Sequence, residues 1–322
     1  MDKTQSTIAI LMTTCNGERF VEAQLASLFA QTFTDFMLYI ADDISTDNTV
    51  DIIRTFQQRF PEKIDLRVNA KRLGVTKNFE GLLQRCKESY AAFCDQDDIW
   101  EPDKLRLEFD AIRQLERVEG TLPCLVHSDL LMIDTEDRVI HASYFAFRRY
   151  RLRDGKDLGH ILGPSGVMGN TVMINAALRA RALPFPHGVE VHDSWLGIVA
   201  ELYGKRRTLH RPLVRYRIHR TNTSNSLQRL QGGIKQGKRG LFDIRLPYLD
   251  SHRKALMEYL LAQEMGTADR NTVQAFYDYL CFSKSRLRMY YDLIRYSLVK
   301  RGNWFRTKLL VKLLLTRRYR HA

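Results

Sequence analysis

Short apolar runs that stop at polar or acidic clusters recur from residue 7 to residue 98, and they restrict the fold more than any other feature. Thr7–Thr14 (TIAILMTT) is rich in β-branched residues and is bounded by Cys15-Asn16-Gly17, the pattern of a buried strand. A helix is expected over Glu18 to Ala30, where Phe20, Val21, Leu25, Leu28 and Phe29 share one face. Phe36–Ala41 predicts a second strand, which gives way at Asp42-Asp43. Ser45, Thr46 and Asp47 then offer N-cap acceptors to a helix starting near Thr49. Ile64–Val68 reads as a strand, Lys77 to Lys87 as a helix, and Tyr90–Cys94 as a strand ending in Asp95-Gln96-Asp97-Asp98. Such alternation predicts βαβ units, a mostly parallel central sheet and helices on both faces. Ligands of these sheets bind beyond the carboxyl ends of the strands. Thr13–Asn16, Asp42–Asp43 and Asp95–Asp98 are therefore expected on one edge.

Farther along, Cys124–Ser128 and Val167–Ile174 read as strands, Asp193–Tyr203 as a helix, and Leu213–His219 closes the body. From Gln231 the composition turns to glycine and lysine, a linker pattern, and the remainder reads as helical and basic. The net charge of +13 is unevenly placed: residues 204–322 hold 27 Lys/Arg against 7 Asp/Glu, and residues 1–203 hold 23 against 30. A basic third suits nucleic acid, an anionic membrane surface or an acidic substrate, and composition does not choose among them. The five cysteines are scattered without CxxC or Cys/His spacing, so neither a disulfide framework nor a structural zinc site is expected. The amino-terminal run lacks the h-region and cleavage site of a signal peptide, and no stretch of 18 uninterrupted apolar residues predicts a membrane span.

The sharpest chemical signal is Asp95-Gln96-Asp97-Asp98. Carboxylates clustered past a buried strand repel each other unless a cation or donors compensate. Hard oxygen ligands with an open shell suit Mg²⁺ or Mn²⁺ bridging to a diphosphate. The plainer role is an N-cap cluster for a helix beginning at Pro102. Asp42-Asp43 has two readings as well: a turn with a helix cap, or acceptors for a nucleobase N–H and ribose hydroxyls. The two clusters together, with Thr13–Asn16 beside them, favour a nucleotide pocket.

These residues resemble a family 2 glycosyltransferase of the GT-A fold, similar to the rhamnosyltransferase-like members that build bacterial surface polysaccharides. The matching pieces are Thr14-Cys15-Asn16-Gly17-Glu18, Gln31-Thr32, Asp42-Asp43 through Thr49, Asn78, Asp95-Gln96-Asp97-Asp98-Ile99-Trp100, Pro102-Asp103-Lys104-Leu105 and His192-Asp193. They cover about residues 7–220. The resemblance implies a GT-A catalytic domain over residues 1–228 and a helical, basic region over 229–322. It implies that Thr14, Asn16, Glu18, Asp42, Asp43, Asn78, Asp95 and Asp97 bind a dTDP- or UDP-sugar. Asp97, Asp98 and His219 would hold Mg²⁺ or Mn²⁺, with Arg217 or Arg220 adding positive charge near the diphosphate.

Asp193 would be the catalytic base, taking the proton of an acceptor hydroxyl, and direct displacement would invert the anomeric centre. His192 stands where an acidic neighbour is more usual, and Cys15 where many relatives carry an aromatic residue. Gly169-Asn170 are candidates for the acceptor pocket, and His127 with Asp129 for the sugar. The implied acceptor is a lipid-linked saccharide at the cytoplasmic face of a bacterial membrane. Trp304–Leu315, apolar with Arg306, Lys308 and Lys312 interspersed, could then lie on an anionic surface. Two other readings compete. A nucleotidyltransferase would bring a Gly-rich basic loop after the first strand, and Asn16-Gly17-Glu18-Arg19 is not one. A nucleic-acid-binding protein would bring a recognisable reading module, and none is present; no nucleic-acid partner is expected.

Overall fold

The strand-end clusters converge because of the order in which the strands assemble. In the computed structural model, which describes residues 7–153, 155–219, 246, 249–299 and 302–315, the strands are β1 (Ile8–Thr14), β2 (Phe36–Asp42), β3 (Ile64–Val68), β4 (Tyr90–Cys94), β5 (Ile99–Trp100), β6 (Cys124–Ile133), β7 (Val139–His141), β8 (Val172–Asn175) and β9 (Lys205–Arg217). They form one sheet of order β3-β2-β1-β4-β8-β6-β9-β5, with β7 paired to β6. β1 is parallel to both β2 and β4, and β2 to β3. β8 runs antiparallel to β4 and β6, while β9 is parallel to β6. Six of the nine strands thus share one direction, the mostly parallel sheet expected from the alternation.

The chain steps outward from β1 to β2 to β3 and then returns to the other flank of β1. The loops after β1 and β4 therefore lie side by side where the strand order reverses, bordering the crevice outside the strand ends at which such sheets bind ligands. Alternate residues of β1 enter different cores. Ile8, Ile10 and Met12 meet Val21, Leu25 and Leu28 of α1 (Val21–Phe29), Ile53 of α2 (Thr49–Arg59), and Leu105 and Ile112 of α4 (Lys104–Glu119). Ala9 and Leu11 meet Phe79, Leu82 and Leu83 of α3 (Val75–Arg85) and Leu196 and Val199 of α8 (His192–Tyr203). That double burial is why the strand reads as a continuous apolar run.

Several boundaries depart from the expectation: β6 runs on to Ile133 where a strand over Cys124–Ser128 was expected, and α1 starts at Val21. The strand expected from Val167 begins only at Val172, after a single 3₁₀ turn (Gly169–Thr171). Gly169 gives its backbone N–H to the Asp193 carboxylate instead of to a ladder, and the Asn170 side chain donates from Nδ2 to Asp98. The closing strand is longer than expected, running from Lys205, and its register with β6 shifts around Asp129 opposite Pro212. A proline within a strand is tolerated at such an irregularity. The helix expected at Pro102 starts at Lys104.

The basic region packs on the catalytic body. Helices α9 (Ser251–Leu261), α10 (Thr267–Cys281), α11 (Arg286–Arg295) and α12 (Asn303–Leu315) follow α5 (Tyr144–Arg148), α6 (Leu158–Leu162), α7 (Ala176–Ala182) and α8. Met257, Leu260, Phe276, Leu293, Leu309 and Leu313 share a core with Leu158 and Ile161 of α6 and Trp195 of α8. The expected boundary near residue 228 and the Gly/Lys-rich linker lie outside the described residues. No helix among the described residues is long and apolar enough to cross a membrane.

Two glycines set the closeness of this contact: a Cβ on Gly159 would overlap the carbonyl oxygen of Tyr296, and one on Gly163 that of Leu298. Backbone cannot yield as a flexible side chain does. Gly159→Ala is therefore expected to cost about 1–3 kcal/mol of stability, and to loosen the helices after residue 250. Denaturant unfolding measures the first effect, and faster limited proteolysis of the C-terminal helices the second.

Candidate active site

The loop after β2 is built around two adjacent carboxylates with different surroundings. Asp42 is fully buried; its Oδ2 accepts from Thr14 Oγ1 (2.7 Å) and Ser45 Oγ (2.6 Å), and its Oδ1 from the Ser45 amide (2.8 Å). Asp43 accepts from Asn69 Nδ2 (2.9 Å) and from the amides of Leu73 (2.8 Å) and Gly74 (2.9 Å). Burial alone would raise the Asp43 carboxyl, but these donors outweigh it and hold it below the usual carboxylate range. Asn69 Nδ2 also donates to Asn78 Oδ1 (2.7 Å), which fixes Asn78 behind Asp43.

The loop after β1 is laced to the start of α2. Asn16 takes positive φ, accepts from the Thr46 amide (2.8 Å) and donates its own amide to Ser45 Oγ (2.9 Å). Glu18 Oε2 accepts from both the amide (3.0 Å) and Nδ2 (2.9 Å) of Asn48. Asp47 takes the Thr49 amide (3.0 Å) as an N-terminal helix acceptor, as its position in the sequence suggested. Thr14, Asn16, Glu18 and Asn78 are thus structural anchors of the crevice wall.

Gln96, which the motif reading passed over, joins the two sides. Its Oε1 accepts from the Cys15 amide (2.8 Å) and its Nε2 donates to the Cys15 carbonyl (3.0 Å), so the loops after β1 and β4 are clamped as if by a short strand pair. A Cβ on Gly17 would overlap the Gln96 amide. An uncharged residue between three carboxylates, facing a glycine in the first motif, was the available signal. Gln31 plays a comparable part: its Oε1 accepts the Leu105 amide (3.0 Å) and its Nε2 donates to the Glu101 carbonyl (2.8 Å), tying α1 to the start of α4.

The acidic centre collects residues far apart in sequence. Burial first, and then the negative charges of Asp97 and Asp193, push the Asp95 carboxyl up to about 7. Asp97 Oδ2 lies 2.7 Å from His219 Nε2. The His219 ring packs 5.1 Å from that of Phe20. Asp98 is fully buried and turns inward, accepting from Asn170 Nδ2 and from the Arg217 amide (3.1 Å). Burial, with Asp97 and Asp95, raises it well above the usual range. Of the three expected metal ligands, Asp97 and His219 meet and Asp98 points elsewhere. Among the described residues no three His, Cys, Asp or Glu side chains form a metal cluster.

Asp193, in the first turn of α8, completes the centre. Its Oδ2 accepts from the Gly169 amide (2.9 Å), and burial raises its carboxyl to about 6. His192 beside it is packed against Phe79 and Phe93, at ring-centroid distances of 4.0 and 5.2 Å. Burial holds the imidazole neutral, with its pKa near 3, and neither ring nitrogen has a hydrogen-bond partner among the described residues. A Cβ on Gly169 would come 2.7 Å from His192 Nε2, so this glycine lets the start of α8, with Asp193, approach the turn before β8. Gly169 and Asn170 touch the centre through Asp193 and Asp98.

Three further residues, Arg217, His127 and Asp129, are engaged within the fold. Arg217 is buried, and its guanidinium is spent on the carbonyls of Asp97 (2.9 Å) and Asp134 (3.2 Å) and on the Asp137 carboxylate. It braces the acidic loop against the turn before β7, and Arg220 lies outside the described residues. His127 and Asp129 serve the fold: His127 is buried against Thr208 (3.0 Å) and Arg206 (3.2 Å), and Asp129 accepts from the Phe145 amide (3.0 Å) and from Ser143 at the start of α5.

Residues 9–156 match the family model described as Glycosyl transferase family 2. The dTDP-rhamnosyl transferase RfbG of Shigella flexneri is 38% identical over 105 residues, 31% of this chain and 36% of that protein. The UDP-Glc:alpha-D-GlcNAc-diphosphoundecaprenol beta-1,3-glucosyltransferase WfgD of Escherichia coli is 30% identical over 101 residues, 31% of this chain and 39% of that protein. The matches thus span little more than a third of these relatives' lengths. In overall structure the chain is similar to S. aureus TarS 1-349 in complex with UDP-GlcNAc, with a TM-score of 0.62 at 15% identity over 95% of this chain and 89% of the other. It is also similar to the mannosyltransferase PcManGT of Pyrobaculum calidifontis in complex with GDP-Man and Mn²⁺, with a TM-score of 0.54 at 13% identity over 97% and 86%. The architecture is GT-A, as the sequence led one to expect.

The crowded carboxylates carry a cost that a substitution exposes. The folded chain holds the Asp95 proton more tightly than the unfolded chain does, so the stability linked to Asp95 is present at acid pH and is lost as pH rises from about 4 to 7. Asp95→Asn is expected to raise the Tm measured in EDTA at pH 8 by about 2 °C or more. The gain should vanish near pH 4, and thermal melts across that range check it.

Proposed function

We propose, from the premise that residues 9–156 form a family 2 glycosyltransferase domain, that the chain is an inverting glycosyltransferase. It moves rhamnose or a hexose from a dTDP- or UDP-sugar to a hydroxyl of a lipid-linked saccharide in bacterial surface-polysaccharide synthesis. The observation that carries this reading is the meeting of the Asp97–His219 pair, Asp95 and the α8 carboxylate of Asp193 at the switch-point crevice. The likeness to a dTDP-rhamnosyl transferase favours a dTDP-sugar, and that to a UDP-GlcNAc complex keeps a UDP-sugar in play. Enzymes with lipid-linked acceptors work at a membrane surface, so the chain is assigned to the cytoplasmic face of the cell membrane.

The residues suit a hard divalent cation. One carboxylate and one imidazole already face each other, and Mg²⁺ or Mn²⁺ bound to a nucleotide takes its other ligands from phosphate and water. The Asp95 carboxyl is raised first by burial and then by the negative charges of Asp97 and Asp193, which a cation would offset. Asp97 and His219 would hold the ion, which would offset the charge on the departing nucleoside diphosphate.

The chain's residues supply the rest. Asp43, fixed by three donors and kept ionised, stands at the crevice wall as the acceptor for base or ribose. The Gln96 clamp keeps the loops after β1 and β4 in register around the bound nucleotide. Asp193, oriented by the Gly169 amide, takes the acceptor's proton as its oxygen attacks the anomeric carbon from the face opposite the leaving group. A carboxyl near 6 is deprotonated at neutral pH and is more basic than an ordinary aspartate.

Calorimetric titration with UDP and dTDP, with and without Mn²⁺, tests the pocket. One nucleotide should bind in a metal-dependent way, and Asp97→Ala should weaken it about ten-fold or more, the loss of one charge-assisted contact. Failure of both nucleotides to bind in any condition sinks the reading. Asp193→Asn should lower kcat by about 10²- to 10⁴-fold while nucleotide affinity holds. The kcat of the native chain should rise with pH through about 6 and level off above it. A profile that falls through this range would remove Asp193 from the role of base.

A further inference from the structure

Away from the crevice, α11 exposes Leu287, Arg288, Tyr291 and Arg295 on one face, while Met289, Asp292 and Leu293 turn into the core. Leu287 is 63% exposed and Tyr291 51%. The guanidinium groups of Arg288 and Arg295 lie 5.5 and 5.9 Å from the Tyr291 ring centroid. Arg286 Nη1 donates to the Leu314 carbonyl (2.6 Å), which brings the end of α12, with Leu314 and Leu315 exposed, beside the start of α11. Single exposed leucines are ordinary. Three leucines and a tyrosine at the junction of two helices, bordered by arginines, are not.

Charge narrows what this face can meet. Residues 286–322 contain eleven Lys/Arg and one acid, Asp292. Asp292 is buried and paired with Arg288 (3.2 Å) and Lys284 (3.4 Å), so it adds no negative charge to the surface. A second copy of the chain would bring the same positive charge and be repelled. A nucleic-acid backbone would satisfy the arginines and the tyrosine but would leave the aliphatic leucines in water. The boundary of an anionic bilayer accepts all of them: apolar side chains at the acyl edge, tyrosine at the headgroups and arginine on phosphate.

We propose that Leu287, Tyr291, Leu314 and Leu315, with Arg288 and Arg295 around them, form the surface by which the chain docks on an anionic lipid bilayer. The inference rests on the proposed membrane location and names its surface. The docking is reversible, since the apolar area is that of four side chains, and it is salt-sensitive because part of the attraction is between exposed charges.

Vesicle flotation of the full chain tests it, using phosphatidylglycerol/phosphatidylethanolamine vesicles against phosphatidylcholine alone. The native chain should float with the anionic vesicles only, and less as salt rises. Leu287→Glu/Tyr291→Glu should lower partitioning about ten-fold or more, and Arg295→Glu about five-fold, as expected for one basic contact near such a surface. Thermal melting and nucleotide binding should stay native. Should the Glu pair misfold, Leu287→Ser/Tyr291→Ser carries the test. Equal flotation of native and variant chains, equal flotation on neutral vesicles, a dimer that the variants dissociate, or RNA binding through this face in place of vesicle binding would each overturn the proposal. A chain that binds anionic vesicles but no nucleotide would leave the docking face standing and overturn glycosyl transfer. A native chain that binds nucleotide but not vesicles would do the reverse.

Discussion

The burial of Asp95, Asp98 and Asp193 around the Asp97 carboxylate is the constraint around which the molecule is arranged. Carboxylates gathered at the end of a buried strand are held there only if the surrounding fold is stable without them, because burial raises the proton affinity of Asp95, Asp98 and Asp193, and charged neighbours add to it at Asp95 and Asp98. The two cores on either side of β1 supply that stability. The local donors are distributed unequally. Asp98 receives Asn170 and the Arg217 amide and becomes a structural post, while Asp95 is left with charge to be neutralised. The same chemistry that makes the cluster costly on its own would suit it to the cation and diphosphate of the proposed function.

β1, β2 and β4 and the helices between them were legible because each of these strands is apolar on both faces and ends in a polar cluster, while the edge strand β3 (IDLRV) alternates apolar residues with Asp65 and Arg67. Only a sheet covered on both sides satisfies that pattern. β8 and the long β9 were less so. Val167 and Met168 continue the apolar run that precedes β8, yet the backbone there turns to meet Asp193 and Asp98, contacts that no local periodicity records. β9 carries Arg206, Arg207, Arg211 and Pro212 and looks like a surface loop. Its pairing with β6 is decided by buried partners such as Glu201 for Arg206, at 2.7 Å.

The acidic centre was readable to the level of residue type and poorly readable to the level of direction. Asp95, Asp97, His219 and Asp193 do come together. Which of the adjacent aspartates turns inward depends on Asn170 and on the amide of a residue 119 positions away, and a sequence does not state that. Thr14, Asn16 and Glu18 hold the loop, a role that spacing alone cannot separate from contact with a ligand. Gln96 went unnoticed for the opposite reason: its chemistry is plain, and its importance comes from the backbone of Cys15 being within reach of both ends of its amide.

The basic C-terminal helices gain meaning from how they are attached. Tyr296–Leu298, just after α11, press on Gly159 of α6 and on Gly163 just beyond its end so closely that a methyl group would collide. Ile161 of α6 in turn packs against Gly197 of α8, where a Cβ would come within 3.2 Å. α8 opens with His192 and Asp193. The path from the exposed stripe of α11 to the proposed base is therefore short and close-packed, with glycine at each crossing, and interiors packed this tightly transmit position with little slack. A bilayer that orients α11 would by the same contacts orient Asp193 relative to the membrane plane. For an acceptor tethered by a lipid, that converts a search in three dimensions into one of lateral approach at a fixed height, with the receiving hydroxyl brought to a base whose direction is already set.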